Sequence, residues 1–358
     1  MRLNLTSTLP VFLVCFFSAC SGPIQHQVTS DAAAPAAPRE ELLYLTSGRS
    51  IEQLAELAEI APNVTFVSGL SREEAGARAA EFHGADAHVI DDEFLAQAEN
   101  LRWVQAWSAG VDRYLGLEGL IENDNVTFTN MKGAHGPVIS EHVFATLLFL
   151  KRQLGAFHDA QQTGEWNRRA GTGQAALSGS TLVVVGMGGI GREIAKRGHA
   201  FEMEVLGTVR TQRDAPDYCT ELGTTEDLDG YLARADVVAI ALPLTDETRG
   251  MFDAERIAKI KPGAMIVNIA RGAIIDTDAL LEALDTGHLG GAALDVTDPE
   301  PLPADHPLWG RGDVLITPHV AGVAELTGDR RWAIFRDNVE LFGAGAELKN
   351  QVDKAAGY

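Results

Sequence analysis

Four residues able to do chemistry stand at or just past apolar runs in the second half of the chain. Arg271 follows the run 264–269, Asp295 and Glu300 close the run 292–296, and His319 follows 314–317. A guanidinium can hold a carboxylate in its planar fork and polarise a carbonyl as negative charge builds on it. An imidazole can give or take a proton near neutral pH. A carboxylate hydrogen-bonded to that imidazole stabilises its charged form. Arg271, Glu300 and His319 together could therefore reduce a carbonyl lying beside a carboxylate, given a hydride source. In the oxidative direction His319 is the base.

A site for that source is written at 182–191. Residues 182–185 are a continuous apolar run, as in a parallel strand covered on both faces. Gly186, Gly188 and Gly191 follow at G-x-G-x-x-G spacing, with Gly189 and Ile190 between them, and Ile190, Ile194 and Gly198 recur at helical spacing. Glycines in a strand-to-helix turn are what a dinucleotide pyrophosphate needs, because the backbone must come close and the helix N-terminus must face the phosphates. The next predicted strand, 204–210, ends in Arg210 where an NAD site carries an acid. Arg210 and Arg213 suit a 2′-phosphate, so NADP(H) is expected as the preferred cofactor with NAD(H) possible.

The elements that position these residues read as alternating strands and helices. Strands are predicted at 42–45, 64–67, 85–90, 101–106 and 126–130, then at 182–185, 204–210, 237–242, 264–269, 292–296 and 314–317. A mostly apolar helix is predicted over 138–150. His135 in the loop before it and His142 within it read as structural histidines. The fold class is α/β: a Rossmann-type doubly wound parallel sheet as the coenzyme domain, 138–322, and a smaller α/β substrate domain, 39–137, completed by 323–358. In open parallel sheets ligands sit beyond the carboxyl ends of the strands, so Arg271, Asp295, Glu300 and His319 should meet on the edge that carries Gly186. After 101–106, Ser108, Ala109, Gly110 and Val111 form a small-residue turn whose backbone N–H groups could face an anion.

Composition narrows the partners. The 358 residues are 46% hydrophobic and carry a formal charge of −21. That surface argues against a nucleic-acid partner. Cys15, Cys20 and Cys219 suggest no disulfide framework, and no metal-ligand spacing appears. At the N-terminus, Arg2 precedes an apolar run over 9–17, and Phe17-Ser18-Ala19-Cys20 is similar to a lipoprotein cleavage box. Residues 1–19 are read as a signal peptide, Cys20 as a lipidated membrane tether, and 20–38 as a flexible linker. The expected location is the periplasmic side of a membrane, with the cytoplasm as the alternative.

From about residue 40 onward the chain resembles the D-isomer-specific 2-hydroxyacid dehydrogenases. The matching segments are Gly186 to Gly191, Leu242-Pro243-Leu244-Thr245 with Glu247-Thr248, and Asn268-Ile269-Ala270-Arg271-Gly272. They continue through Ala293-Leu294-Asp295-Val296 with Glu300-Pro301-Leu302, then Thr317-Pro318-His319-Val320-Ala321-Gly322, and Asn350 to Lys354 with Tyr358. The resemblance implies a flavodoxin-like substrate domain and a catalytic set of Arg271, Glu300 and His319. It implies that Ser108, Ala109, Gly110 and Val111 bind the substrate carboxylate with Arg271, and that Leu242, Pro243 and Ala270 border the dinucleotide. Asp295 would hold the nicotinamide amide, and a homodimer would form. A small 2-oxo or 2-hydroxy acid is the implied substrate, with glyoxylate and hydroxypyruvate as first candidates. Formate-type members carry Gln where Glu300 stands. Phosphoglycerate-type members often carry a regulatory domain for which 358 residues leave no room. A dinucleotide-sensing binding protein without turnover is the alternative from another class.

Overall fold

The computed structural model describes residues 39–358. The predicted signal peptide, Cys20 and the linker lie outside the described residues. Among the described residues no helix is long and apolar enough to cross a membrane.

Twelve strands form two parallel sheets. The first contains β1 (Leu42–Leu45), β2 (Val64–Val67), β3 (Gly84–Asp86), β4 (Trp103–Gln105) and β5 (Thr127–Thr129), in the order β2-β1-β3-β4-β5. That is the flavodoxin-like order. The second contains β6 (Thr181–Val185), β7 (Glu204–Thr208), β8 (Glu221–Gly223), β9 (Val237–Ile240), β10 (Ala264–Asn268), β11 (Leu289–Leu294) and β12 (Val314–Ile316). Its order, β12-β11-β10-β9-β6-β7-β8, is that of a doubly wound dinucleotide fold, and the winding reverses between β6 and β9. Every residue of β6, β9 and β10 is buried, which is why those strands read as unbroken apolar runs.

Helix Gly136–Lys151 starts two residues before the predicted one, because Pro137 is tolerated in a first helical turn that lacks acceptors anyway. Its apolar side joins Ile194, Val184 and Ala293 in a core beneath the second sheet. The last helix, Glu325–Ala344, returns to the first sheet. Its Phe335, Val339 and Phe342 pack with Tyr44, Leu57 and Trp103, and Asn338 exchanges hydrogen bonds with the backbone of Lys349.

Most strands end one to four residues earlier than the sequence predicts, at the edge where the loops of the site begin. The predicted strand 85–90 instead turns into a 3₁₀ segment, Ala87–Val89, and β11 begins three residues early through Gly290 and Gly291. β8 was not predicted. It is an edge strand of three residues whose Glu221 and Gly223 disfavour a strand assignment.

Candidate active site

The loop after β10 is shaped by Asn268. Its Oδ1 accepts from Ala270 N at 3.0 Å and its Nδ2 donates to Arg271 O at 2.8 Å, which ends the strand and turns Arg271 outward. Arg271 then reaches the other sheet. Its Nε and Nη2 donate to Asp112 Oδ1 at 3.0 and 2.8 Å, and a Cβ built on Gly110 would fall 2.0 Å from Nη2. Only a residue without a side chain allows this approach, so the carboxyl edges of the two sheets face one another here.

Residues 108–111 follow β4. Ser108 O accepts from Met131 N, Ala109 O from Asn130 Nδ2 and Gly110 O from Ser108 Oγ, while Val111 is buried. The carbonyls are thus held by protein donors. The N–H groups of Ala109, Gly110 and Val111 have no protein acceptor among the described residues. Free amides beside a guanidinium form a receptor for a carboxylate.

His319 stands on the loop after β12 with φ 55°, a left-handed backbone set by two bonds from its own N, to Asp295 O at 2.7 Å and Thr317 O at 3.0 Å. Its Nδ1 lies 2.7 Å from Glu300 Oε1. An ionised carboxylate can only accept, so the hydrogen is on Nδ1 and Nε2 remains for a reacting atom. Both side chains are about half exposed.

Asp295 is 4% exposed and its carboxylate is already engaged. Oδ1 accepts from Thr317 Oγ1 at 2.6 Å and Val320 N at 2.9 Å, and Oδ2 accepts from Ala321 N at 2.9 Å. The resemblance gives Asp295 to the nicotinamide; in the structure its carboxylate anchors the His319 loop. His142 joins this anchor, with Nε2 3.0 Å from Thr317 Oγ1, which is the structural role expected of it. His135 also lies beside the site. A Cβ on Gly322 would meet its Cδ2 at 3.1 Å, and burial, then the charge of Arg331, holds its imidazole below the usual histidine range.

The residues at the fingerprint fit a dinucleotide. Gly186 has φ +100°, and a Cβ on Gly191 would strike Gly186 O at 2.0 Å, so the turn closes only with glycine. A Cβ on Gly188 would meet nothing, which leaves open space above the N-terminus of helix Gly189–Ala200 for a pyrophosphate. Ile190 packs inward against the core. Leu242 lies against Gly186, and Pro243 O accepts from Thr248 Oγ1 at 2.7 Å, which braces the loop after β9. Past β7, Arg213 Nη2 donates to Met187 O at 2.6 Å and the guanidinium of Arg210 lies 5.0 Å from the Tyr358 ring. Arg213 is thus tied to the fingerprint turn itself, and Arg210 to the residue at the C-terminus.

Comparison with known proteins accords with this geometry. The family model described as "D-isomer specific 2-hydroxyacid dehydrogenase, NAD binding domain" matches residues 144–321. The (S)-sulfolactate dehydrogenase of Chromohalobacter salexigens is 36% identical over 254 residues, 70% of this chain and 80% of that one. This chain belongs to the D-isomer-specific 2-hydroxyacid dehydrogenases. A family member from Aeromonas salmonicida superposes with a TM-score of 0.75 at 34% identity, covering 88% of this dehydrogenase and all of that chain. The NADPH-dependent glyoxylate/hydroxypyruvate reductase of Sinorhizobium meliloti, solved with NADP and sulfate, does so at 0.73 and 28% identity, again covering 88% and all of that chain. As a family member the dehydrogenase is an NAD(P)-dependent oxidoreductase.

In this dehydrogenase, sequence reasoning missed Asp112, the partner of Arg271, and Arg331, which comes from the last helix. Neither has a local signature. Each matters only through residues brought to it from far along the chain.

Proposed function

We propose that the protein reduces small 2-oxo acids to D-2-hydroxy acids, with His319 as the acid and NADPH as the preferred reductant. The observation that carries this reading is the pairing of His319 Nδ1 with Glu300 at 2.7 Å on the edge that Arg271 bridges to the Ser108 loop. Gly186 to Gly191 and the N-terminus of helix Gly189–Ala200 would hold the dinucleotide, which when bound would be the source of hydride for carbon 2 of the substrate. Arg271 and the amides of Ala109, Gly110 and Val111 receive the substrate carboxylate and draw charge toward the carbonyl oxygen. A carboxylate entering there competes with Asp112 for the guanidinium fork. His319 delivers the proton from Nε2 to the developing alkoxide and keeps the Nδ1 hydrogen, which Glu300 fixes in place. Arg210 and Arg213 support NADP(H), as does the NADP bound to the Sinorhizobium protein.

A screen of 2-oxo acids with NADPH and NADH tests the proposal. Glyoxylate and hydroxypyruvate come first. His319→Gln should lower turnover by at least about 10²-fold, the scale of a lost general acid, while dinucleotide binding persists. Turnover close to wild type in that variant would remove His319 from the mechanism. Binding of NADPH without turnover of any 2-oxo acid would favour a sensor of the same fold.

Two further proposals concern assembly and place. Helix Leu154–Gln162 buries no residue within the chain, and the nearby Trp166 is 91% exposed. An arm of this kind supports the homodimer that the resemblance implies. The segment 1–20 supports export and tethering through lipidated Cys20.

A further inference from the structure

The proposed chemistry leaves unused the carboxyl edge of the first sheet where its winding reverses, between β1 and β3. Ligands of open sheets bind beyond such points. Asp86, at the end of β3, is fully buried. It accepts from Tyr44 Oη at 3.0 Å, Thr46 Oγ1 at 2.9 Å, Ser47 N at 3.2 Å, Trp107 Nε1 at 2.8 Å and Arg49 Nη2 at 2.9 Å. This network fixes the guanidinium of Arg49 over the Trp107 ring, 4.2 Å from its centroid. A second guanidinium, that of Arg331, lies 5.4 Å from the same centroid.

The charges here do not cancel. Asp86 matches Arg49, and Asp112 matches Arg271. Arg331 is half-buried and has no acidic partner among the described residues, and its Nε is buried without an acceptor, as is that of Arg49. Burial, then Arg49, disfavours its charge. An uncompensated guanidinium beside another one costs stability that contact with one indole only partly offsets. Placed at the winding reversal, it fits a site whose missing partner is an anion from solution. Trp107 directly precedes Ser108, so this anion would sit next to the carboxylate receptor.

We propose that Arg331, with Arg49 and Trp107 beside it, receives a second anionic group of the substrate. The substrate class is then a short 2-oxo acid ending in a carboxylate, sulfonate or phosphate. This rests on the dehydrogenase reading of the same cleft.

The test is made with the full chain and NADPH. Oxaloacetate is compared with 2-oxosuccinamate, its neutral amide of the same shape. 3-Sulfopyruvate and 3-phosphohydroxypyruvate distinguish the source of the anion, and glyoxylate and 2-oxobutyrate serve as monoanions. In the wild type, kcat/KM should favour the acid over its amide by at least about tenfold, since a site built for a group rejects the analogue lacking it. Arg331→Gln should remove most of that preference, mainly through KM, and Arg331→Lys should keep part of it. Equal rates for acid and amide in the wild type would overturn the proposal whether or not the variants fold. So would an equal fall for both compounds in Arg331→Gln, which would mean that Arg331 serves the carboxylate common to all. Monoanions turned over without a preference for dianions defeat this inference alone. Failure of every acid defeats the dehydrogenase reading with it.

Discussion

Replacing Asp295 by Asn asks whether the carboxylate anchors the catalytic loop. It accepts three hydrogen bonds from the segment that carries His319, two of them from the backbone N–H groups of Val320 and Ala321. An amide offers one oxygen and one NH₂. With the oxygen toward Thr317 and Val320, the NH₂ meets the Ala321 N–H donor to donor; turned over, it meets Val320 N–H instead. One buried amide loses its acceptor in either orientation, and a hydrogen bond to a charged group contributes about 1.5–3 kcal/mol. Docking of the loop should weaken by that amount, about 10- to 150-fold in its equilibrium. We expect kcat to fall about 10- to 100-fold, and exchange of the Val320 and Ala321 amides to accelerate by a similar factor. Turnover at saturating substrate and native-state hydrogen exchange measure the two effects. His319→Gln, which leaves the anchor intact, should leave those amides protected. Unchanged exchange in Asp295→Asn together with near-normal kcat would refute the anchoring role.

Three other outcomes are expected. Arg210→Ala should weaken NADPH binding selectively by about 1.5–3 kcal/mol, the range for a lost charged hydrogen bond, and an equal loss for NADH in calorimetry would dismiss Arg210 as a reader of the 2′-phosphate. Gly110→Ala would put a methyl 2.0 Å from Arg271 Nη2 and push the guanidinium off Asp112; KM for the 2-oxo acid should rise about tenfold or more with little change in Tm, and an unaltered KM would place the substrate elsewhere. In cells making wild type and Cys20→Ser, the wild type should fractionate with membranes and the variant should not; two soluble, full-length cytosolic proteins would rule out the tether.

The parts of the fold legible in the sequence are those with a one-dimensional signature. A strand covered on both faces, such as β6 or β10, must be apolar throughout, and Gly191 is forced by its contact with Gly186, five residues earlier. Arg271, Glu300 and His319 could be singled out because a parallel sheet sends the residue after each strand to the same edge. Strand ends were less legible, since β10 stops where the side chain of Asn268 bonds the backbone of Ala270 and Arg271. Asp112 lies 159 residues from Arg271, and no local pattern announces a partner so distant. Asp295 was visible as a charged residue at a strand end, but that it faces the backbone of its own loop depends on where β12 lies. Arg331 stands in a helix of mixed polarity, where an arginine ordinarily faces solvent, and only the return of that helix to the first sheet brings it to Trp107.

That return governs the order in which the protein can take shape during synthesis. The second sheet is completed by an uninterrupted stretch of chain, with its core running from Ile139 to Ala321. The first sheet is translated earlier but keeps part of one face uncovered until Phe335, Val339 and Phe342 arrive. Asn63 donates to Gly343 O, 280 residues later. At about 5–20 residues per second the ribosome covers that span in roughly 15–55 s. For that interval Tyr44, Leu57 and Trp103 lack their covering helix, although domains commonly fold in the order in which they are made. The later-made half is therefore the one able to fold first, and the emerging chain carries an exposed aromatic face that chaperones or self-association can reach until the last helix closes it.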